Sequence, residues 1–237
     1  MGNFENKVVI VTGAAGALGT AVTQYFLSNG ASVACLDYSD ELLNTAFPEA
    51  STNPKLFSIV ADLNQRGSCD EAIIAIQKEF GQIDILTNIA GGFVMGEPVH
   101  ATTDETWDFL FNLNTRSIVY TSAAVVPIML AQGAGKIVNI SARAAVAGAK
   151  NMGAYTASKA AVTRLTESMA LELREKNINV NCIMPGTIDT ARNRSDMPNA
   201  DYSKWVATSD IANVIGFLCG EESSAVNGAA LPVYGLS

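Results

Sequence analysis

Histidine is nearly missing from this chain: His100 is the only one in 237 residues. Histidine-based triads and multi-histidine metal sites therefore have no material to work with, and His100 itself reads as an exposed loop residue. Cysteine is sparse as well. Cys35, Cys69, Cys182 and Cys219 lie far apart and form no CxxC pair. That pattern predicts buried thiols in a reducing, cytoplasmic setting, without disulfides and without a metal site. Basic charge is short, with 15 Lys and Arg against 23 Asp and Glu and a net charge of −8. A phosphate-backbone partner needs a basic face that this chain lacks, so no nucleic-acid partner is expected. No apolar run reaches the roughly 18 residues that a membrane span needs. The mostly polar residues 1–7 lead straight into a strand, so neither a signal peptide nor a membrane anchor is expected. No linker rich in Pro, Gly and Ser divides the chain. With 49% hydrophobic residues, residues 1–237 read as a single domain with a well-buried core.

What the chain has in quantity is alternation. Short apolar, β-branched runs occur at residues 7–11, 32–36, 56–61, 83–87, 136–140, 178–183 and near 230–234. Runs of this kind are strands buried on both faces. Amphipathic stretches at 17–28, 40–47, 65–80, 104–131, 153–176 and 209–220 fill the intervals. Strand and helix in rotation predict an α/β class with a doubly wound parallel sheet flanked by helices. In such a fold ligands bind beyond the carboxyl ends of the strands.

The chemistry-bearing residues fall there. After the first strand comes Thr12-Gly13-Ala14-Ala15-Gly16-Ala17-Leu18-Gly19, a glycine-rich turn opening a helix. It allows backbone N–H groups and the positive helix end to approach a pyrophosphate, although a tight turn alone would also need glycine. Ala17 stands where a glycine is expected in a TGxxxGxG pattern. Asp37 ends the second strand. A carboxylate there accepts hydrogen bonds from ribose hydroxyls and repels a 2′-phosphate, which predicts NAD(H) in preference to NADP(H). Its alternative is a helix cap, a task open to Ser39 and Asp40. Asp62 follows the third strand as a candidate partner of the adenine amino group. Asn88-Ile89-Ala90-Gly91-Gly92 follows the fourth, where small residues admit a flat ring or a ribose.

Tyr155 and Lys159 are four residues apart in one predicted helix and share a face. The ammonium is expected near the phenol, favouring its ionised form, so that the tyrosine exchanges a proton with substrate while a dinucleotide exchanges a hydride.

The ordered set resembles the short-chain dehydrogenase/reductase family along essentially the whole length. The matching residues are Thr12-Gly13 to Gly19, Asp62-Leu63, Asn88-Ile89-Ala90-Gly91, Asn114, the Tyr155 to Lys159 YxxxK motif and Pro185-Gly186-Thr187-Ile188-Asp189-Thr190. The resemblance implies a three-layer Rossmann fold with seven parallel strands. It assigns Tyr155 as proton donor or acceptor, Lys159 to the nicotinamide ribose, Asn114 to a proton-relay water, and Ile188 and Thr190 to the carboxamide. Cofactor contacts are thereby expected from Gly13, Ala15, Gly16, Leu18, Gly19, Asp37, Asp62, Leu63, Asn88, Ala90, Gly91, Tyr155, Lys159, Pro185, Gly186, Ile188 and Thr190. The substrate is expected to be a small carbonyl compound or alcohol. Family members usually form homo-oligomers, dimers or tetramers, through helices here predicted at 104–131 and 153–176.

The family's catalytic serine normally lies 13 residues before the tyrosine, and that position is Ala142. Ser141 is the neighbouring candidate, but it replaces the missing hydroxyl only if the strand has ended or bulged, because adjacent strand residues face opposite ways. In lacking the serine the chain also resembles dihydropteridine reductases. That likeness extends to Gly16-Ala17-Leu18-Gly19, to 141–145, to 151–155 and to 188–205. A quinonoid dihydropterin is already electrophilic, so a Tyr-Lys pair suffices without a serine. A third reading is an NAD(H)-binding regulatory protein with weak chemistry. The segment 191–205 reads either as a substrate lid, with Arg192 and Arg194 meeting an anionic or carbonyl-bearing group, or as a surface loop packing Trp205 inward. Trp107 is expected to pack on its own helix neighbours.

Overall fold

The computed structural model describes residues 3–236. Its strands are β1 (Val8–Thr12), β2 (Ser32–Asp37), β3 (Leu56–Val60), β4 (Ile85–Asn88), β5 (Gly135–Ile140), β6 (Ile178–Pro185), the short β7 (Ile188–Asp189) and β8 (Val206–Ala207), and β9 (Ala230–Val233). Its helices are α1 (Ala17–Ser28), α2 (Asp40–Ala46), α3 (Arg66–Phe80), α4 (Asp104–Phe111), α5 (Ser117–Gln132), α6 (Gly153–Leu173), α7 (Ala191–Asp196) and α8 (Thr208–Cys219).

Because successive strand side chains point to opposite faces, Val9 and Val11 of β1 enter one core while Val8 and Ile10 enter another. The first core packs the sheet against Val22 and Phe26 of α1, Leu43 of α2 and Ile211, Ile215 and Leu218 of α8. The second packs it against Ile73 and Ile76 of α3, Val125 and Met129 of α5 and Ala170 and Leu173 of α6. Helices cover both faces of a parallel sheet whose order is β3-β2-β1-β4-β5-β6-β9. The order reverses at β1 and β4, so the crevice beyond their carboxyl ends lies between the turn after β1 and the one after β4. Seven strands in a Rossmann arrangement agree with the expectation from the sequence.

Two differences bear on the site. The single helix predicted over 104–131 is α4 and α5 joined by a π-helical turn at Asn112–Arg116. A π turn inserts an extra residue and re-aims the side chains within it, here Asn114. The two-residue strands β7 and β8 pair with each other and anchor both ends of the segment between them. Trp107 stacks on Phe111, centroids 4.3 Å apart, as expected of neighbours on one helix, but stays half-exposed. His100 is exposed and all four cysteines are buried and free. Among the described residues, no helix is long and apolar enough to cross a membrane.

Candidate active site

The turn after β1 is built for close approach. Gly13 adopts φ +62°, and a Cβ there would lie 2.9 Å from the Cα of Ala90. At Gly19 a Cβ would run into the Gly13 carbonyl oxygen and lie 2.7 Å from the Cα of Ala14. Both are glycine for want of room. The helix they open starts without a side-chain cap at Gly16 and without an acidic residue in its first turn. By contrast α2, α4 and α7 are capped by Ser39, Thr103 and Thr190. An uncapped helix N-terminus beside a glycine turn fits a pyrophosphate, because its first amide groups lack intrahelical partners. Gly16 and Ala17 are both exposed there, while the Leu18 side chain is buried in the core, leaving its backbone to face a ligand.

Asp37 lies at the end of β2, nearly buried. Its carboxylate accepts from the backbone N–H of Ala15 at 3.0 Å and from that of Tyr38 at 2.8 Å. It therefore ties the glycine turn to the strand end, and the α2 cap falls to Ser39, which accepts from Leu42. Asp62 is exposed, its carboxylate accepting from Asn64 N–H at 2.9 Å, and the Leu63 side chain is buried in the core. Asn88 differs from its expected place against a cofactor. Its amide donates to Asn139 Oδ1 and accepts from the Thr121 hydroxyl, both at 2.8 Å, and Asn139 in turn donates to Thr166. Both ends of that side chain are engaged within the protein, so Asn88 cross-links β4 to β5 and α5. Ala90 donates its N–H to the Thr12 hydroxyl at 3.1 Å, setting the loop after β4 against the turn after β1.

The catalytic candidates converge on Gly91. A Cβ at that position would lie 3.0 Å from Asn114 Oδ1 and 3.1 Å from Lys159 Nζ. Asn114 is fully buried. It accepts from Gly92 N–H at 2.8 Å and donates to the Gly92 carbonyl and to Ser158 Oγ, both at 3.1 Å. Ser158 Oγ in turn donates to the Tyr155 carbonyl at 2.8 Å, so the π turn is fastened to the helix turn carrying Tyr155. The sequence reading missed Ser158, although its place inside the YxxxK stretch was the signal available. It also missed Phe93, whose ring meets that of Tyr155 edge-on, centroids 4.9 Å apart.

Two expectations need correction. Lys159 Nζ donates to the carbonyl of Ile140 at 2.9 Å, and burial draws its pKa down to about 8. Burial likewise pushes the Tyr155 phenol up to about 12, the reverse of the expected lowering. Burial disfavours the charged form of each. Ser141 does not take over from Ala142. Its backbone continues the β5–β6 ladder, bonding to Ile183, and its buried hydroxyl donates to the Lys159 carbonyl at 2.9 Å and lies 3.0 Å from that of Thr163. Although β5 ends at Ile140, the Ser141 backbone stays in register with β6 and the side chain faces α6.

At the end of β6, Pro185 pairs with Val233, and Gly186 donates its N–H to the Val233 carbonyl. Ile188 packs against the core, and Thr190 spends its hydroxyl capping α7 through Asn193 N–H at 3.1 Å. Arg194 is held by both oxygens of Asp189 at 2.6 and 2.7 Å and lies over the Tyr202 ring, 4.9 Å from its centroid. Its guanidinium is thus engaged within the segment, as the surface-loop reading has it rather than the lid. Trp205 is half-buried against Tyr202. A small crevice beside Tyr155 is lined by Val94, Glu97, Thr102, Thr106, Leu110 and Met152, among others.

Known proteins resemble the chain along nearly its whole length. The short chain dehydrogenase family profile matches residues 7–201. The 7alpha-hydroxysteroid dehydrogenase of Bacteroides fragilis is 35% identical, the match covering 99% of this chain and 95% of that protein. The 2-(R)-hydroxypropyl-CoM dehydrogenase of Xanthobacter autotrophicus is 37% identical over 97% of this chain and 98% of that one. Among solved structures, NAD+-bound xylitol dehydrogenase superposes with a TM-score of 0.90 at 30% identity, covering 98% of this chain and 99% of its own. The chain belongs to the short-chain dehydrogenase/reductase family and is an oxidoreductase acting on CH–OH and carbonyl groups.

Proposed function

We propose that residues 1–237 form one NAD(H)-dependent domain that moves a hydride between nicotinamide and a small carbonyl or alcohol substrate, with Tyr155 as general acid/base. The observation that carries this is the convergence of Asn114 Oδ1 and Lys159 Nζ on Gly91, one helix turn from Tyr155. Gly13, Gly16, Gly19 and the amides of α1 hold the pyrophosphate; Ala15, Asp62, Leu63, Ala90, Pro185, Gly186, Ile188 and Thr190 contribute the rest of the cofactor's surround. When bound, the nicotinamide supplies or accepts the hydride. Burial keeps the Tyr155 phenol protonated at neutral pH, which suits donation to a developing alkoxide during carbonyl reduction. In the other direction the Lys159 ammonium, one helix turn from the phenol, would lower the cost of the tyrosinate and would hold the nicotinamide ribose. Asn114 fixes the backbone at Gly92 on which this arrangement rests.

Asp37 favours NAD(H), since a 2′-phosphate would meet a nearly buried carboxylate. The free, buried cysteines suit a cytoplasmic protein, and exposed Val119, Leu130 and Leu171 on α5 and α6 suit packing into a homo-oligomer. Ala142 favours one second reading, reduction of a quinonoid dihydropterin, whose electrophilic ring needs no polarising hydroxyl. The test is initial rates with purified protein: secondary alcohols with NAD+, and ketones, aldehydes and quinonoid dihydropterin with NADH. Turnover of alcohols or ketones supports the main reading, and turnover confined to the pterin supports the second. NADH binding without any turnover leaves a regulatory binding protein.

A further inference from the structure

The charges around Tyr155 narrow the substrate, given the oxidoreductase reading above. Among the described residues lining the crevice that Tyr155 helps form, Glu97 carries the one charge; around it stand Val94, Leu110, Met152, Thr102 and Thr106. Phe93, half-exposed, covers the Tyr155 ring edge-on. A carboxylate or phosphate substrate is normally met by an unpaired arginine or lysine, whose planar fork or ammonium compensates the anion's lost hydration. Here most cations of the flanking segments face a partner of their own. Arg194 is gripped by both oxygens of Asp189 and lies over Tyr202. Arg192 faces Asp196 at 3.8 Å, and Lys204 faces Asp201 at 3.6 Å. Arg143, next to Ala142, lies over the Tyr234 ring, 5.8 Å from its centroid. Lys150 precedes Asn151 but is not part of the crevice lining.

We propose that the substrate is an uncharged alcohol or carbonyl compound with an apolar body, and that Glu97 turns anions away from Tyr155. The apolar walls and the Phe93 ring favour the body by contact, and the threonine hydroxyls offer it neutral hydrogen bonds. Glu97 is exposed, so its repulsion of an anion is partly screened by solvent and amounts to about tenfold in selectivity at low salt.

The test pairs two alcohols of one shape: 4-(1-hydroxyethyl)benzoate and its methyl ester, with NAD+. The ester is expected to exceed the acid in kcat/KM by about tenfold at about 0.02 M salt and by only a few-fold at about 0.5 M. Glu97→Gln is expected to narrow the ratio at low salt, and Arg192→Ala to leave it unchanged. The matching ketones, titrated calorimetrically into NADH-saturated protein, read the same preference without turnover. An acid equal to or better than the ester overturns the proposal. So does a ratio indifferent to both salt and Glu97→Gln, a selective loss of acid activity in Arg192→Ala, or failure of both ketones to bind. If neither alcohol is oxidised but the ketone ester binds more tightly than the keto acid, the substrate class stands and the oxidoreductase reading of Tyr155 is what fails.

Discussion

Asn114 and Gly92 exchange two hydrogen bonds, the Gly92 N–H to Oδ1 at 2.8 Å and Nδ2 to the Gly92 carbonyl at 3.1 Å. That reciprocal clamp ties the π turn between α4 and α5 to the loop after β4. Asn114→Ala leaves the backbone groups of Gly92 without these partners in a partly buried place, at a cost of about 1 kcal/mol. The variant is expected to unfold at lower temperature and to lose about tenfold or more in kcat. Thermal unfolding and steady-state rates check both; unchanged kcat would mean that the clamp does not position the site.

Ser141→Ala removes a hydroxyl that bonds α6 and never faces substrate. Stability is expected to fall by about 1 kcal/mol while kcat/KM stays within a few-fold of wild type. Ala142→Ser, which adds a hydroxyl at the family's serine position, is expected to raise ketone turnover by about tenfold or more. Rates of both variants with one ketone decide the matter.

Lys159 titrates at about 8 in the folded chain against an ordinary lysine value of 10.5. Between those values the unfolded chain binds a proton that the native chain has released. Its contribution to stability therefore rises with pH across that window. Lys159→Met is expected to lose this rise, about 2 kcal/mol between pH 8 and pH 10. Urea unfolding of both proteins at several pH values checks it, staying below the range where Tyr155 titrates.

The alternation of strands and helices and the parallel, doubly wound sheet were legible because buried strands and amphipathic helices carry their periods in the sequence. The π turn was not, since Asn112–Arg116 has an ordinary helical composition and the extra residue follows from packing. The pairing of Ile188–Asp189 with Val206–Ala207 was equally hidden, two residues being too few for an alternation to register. Among site residues, spacing singled out Tyr155, Lys159 and Asp37, and the family resemblance added Asn114. It could not tell that the Lys159 ammonium turns to Ile140 or that Asn88 is absorbed into a buried amide chain. Those outcomes depend on neighbours brought in by other strands.

Asp37→Asn keeps one oxygen for the Ala15 amide, gives up the acceptor for the Tyr38 N–H and removes the charge. Selectivity for NADH over NADPH is expected to fall by about tenfold, mostly through a lower KM for NADPH. Rates with both cofactors at one substrate concentration series measure it, and unchanged selectivity would remove Asp37 from the 2′-phosphate argument.

The most direct test of the central claim is Tyr155→Phe, compared with wild type for alcohol oxidation with NAD+ and for NADH affinity by fluorescence titration. The phenol is the group held here to move the proton, and Phe keeps the ring that packs against Phe93. Turnover is expected to fall by about a hundredfold or more while NADH affinity stays within a few-fold. Retained turnover would contradict the assignment of Tyr155 as the acid/base.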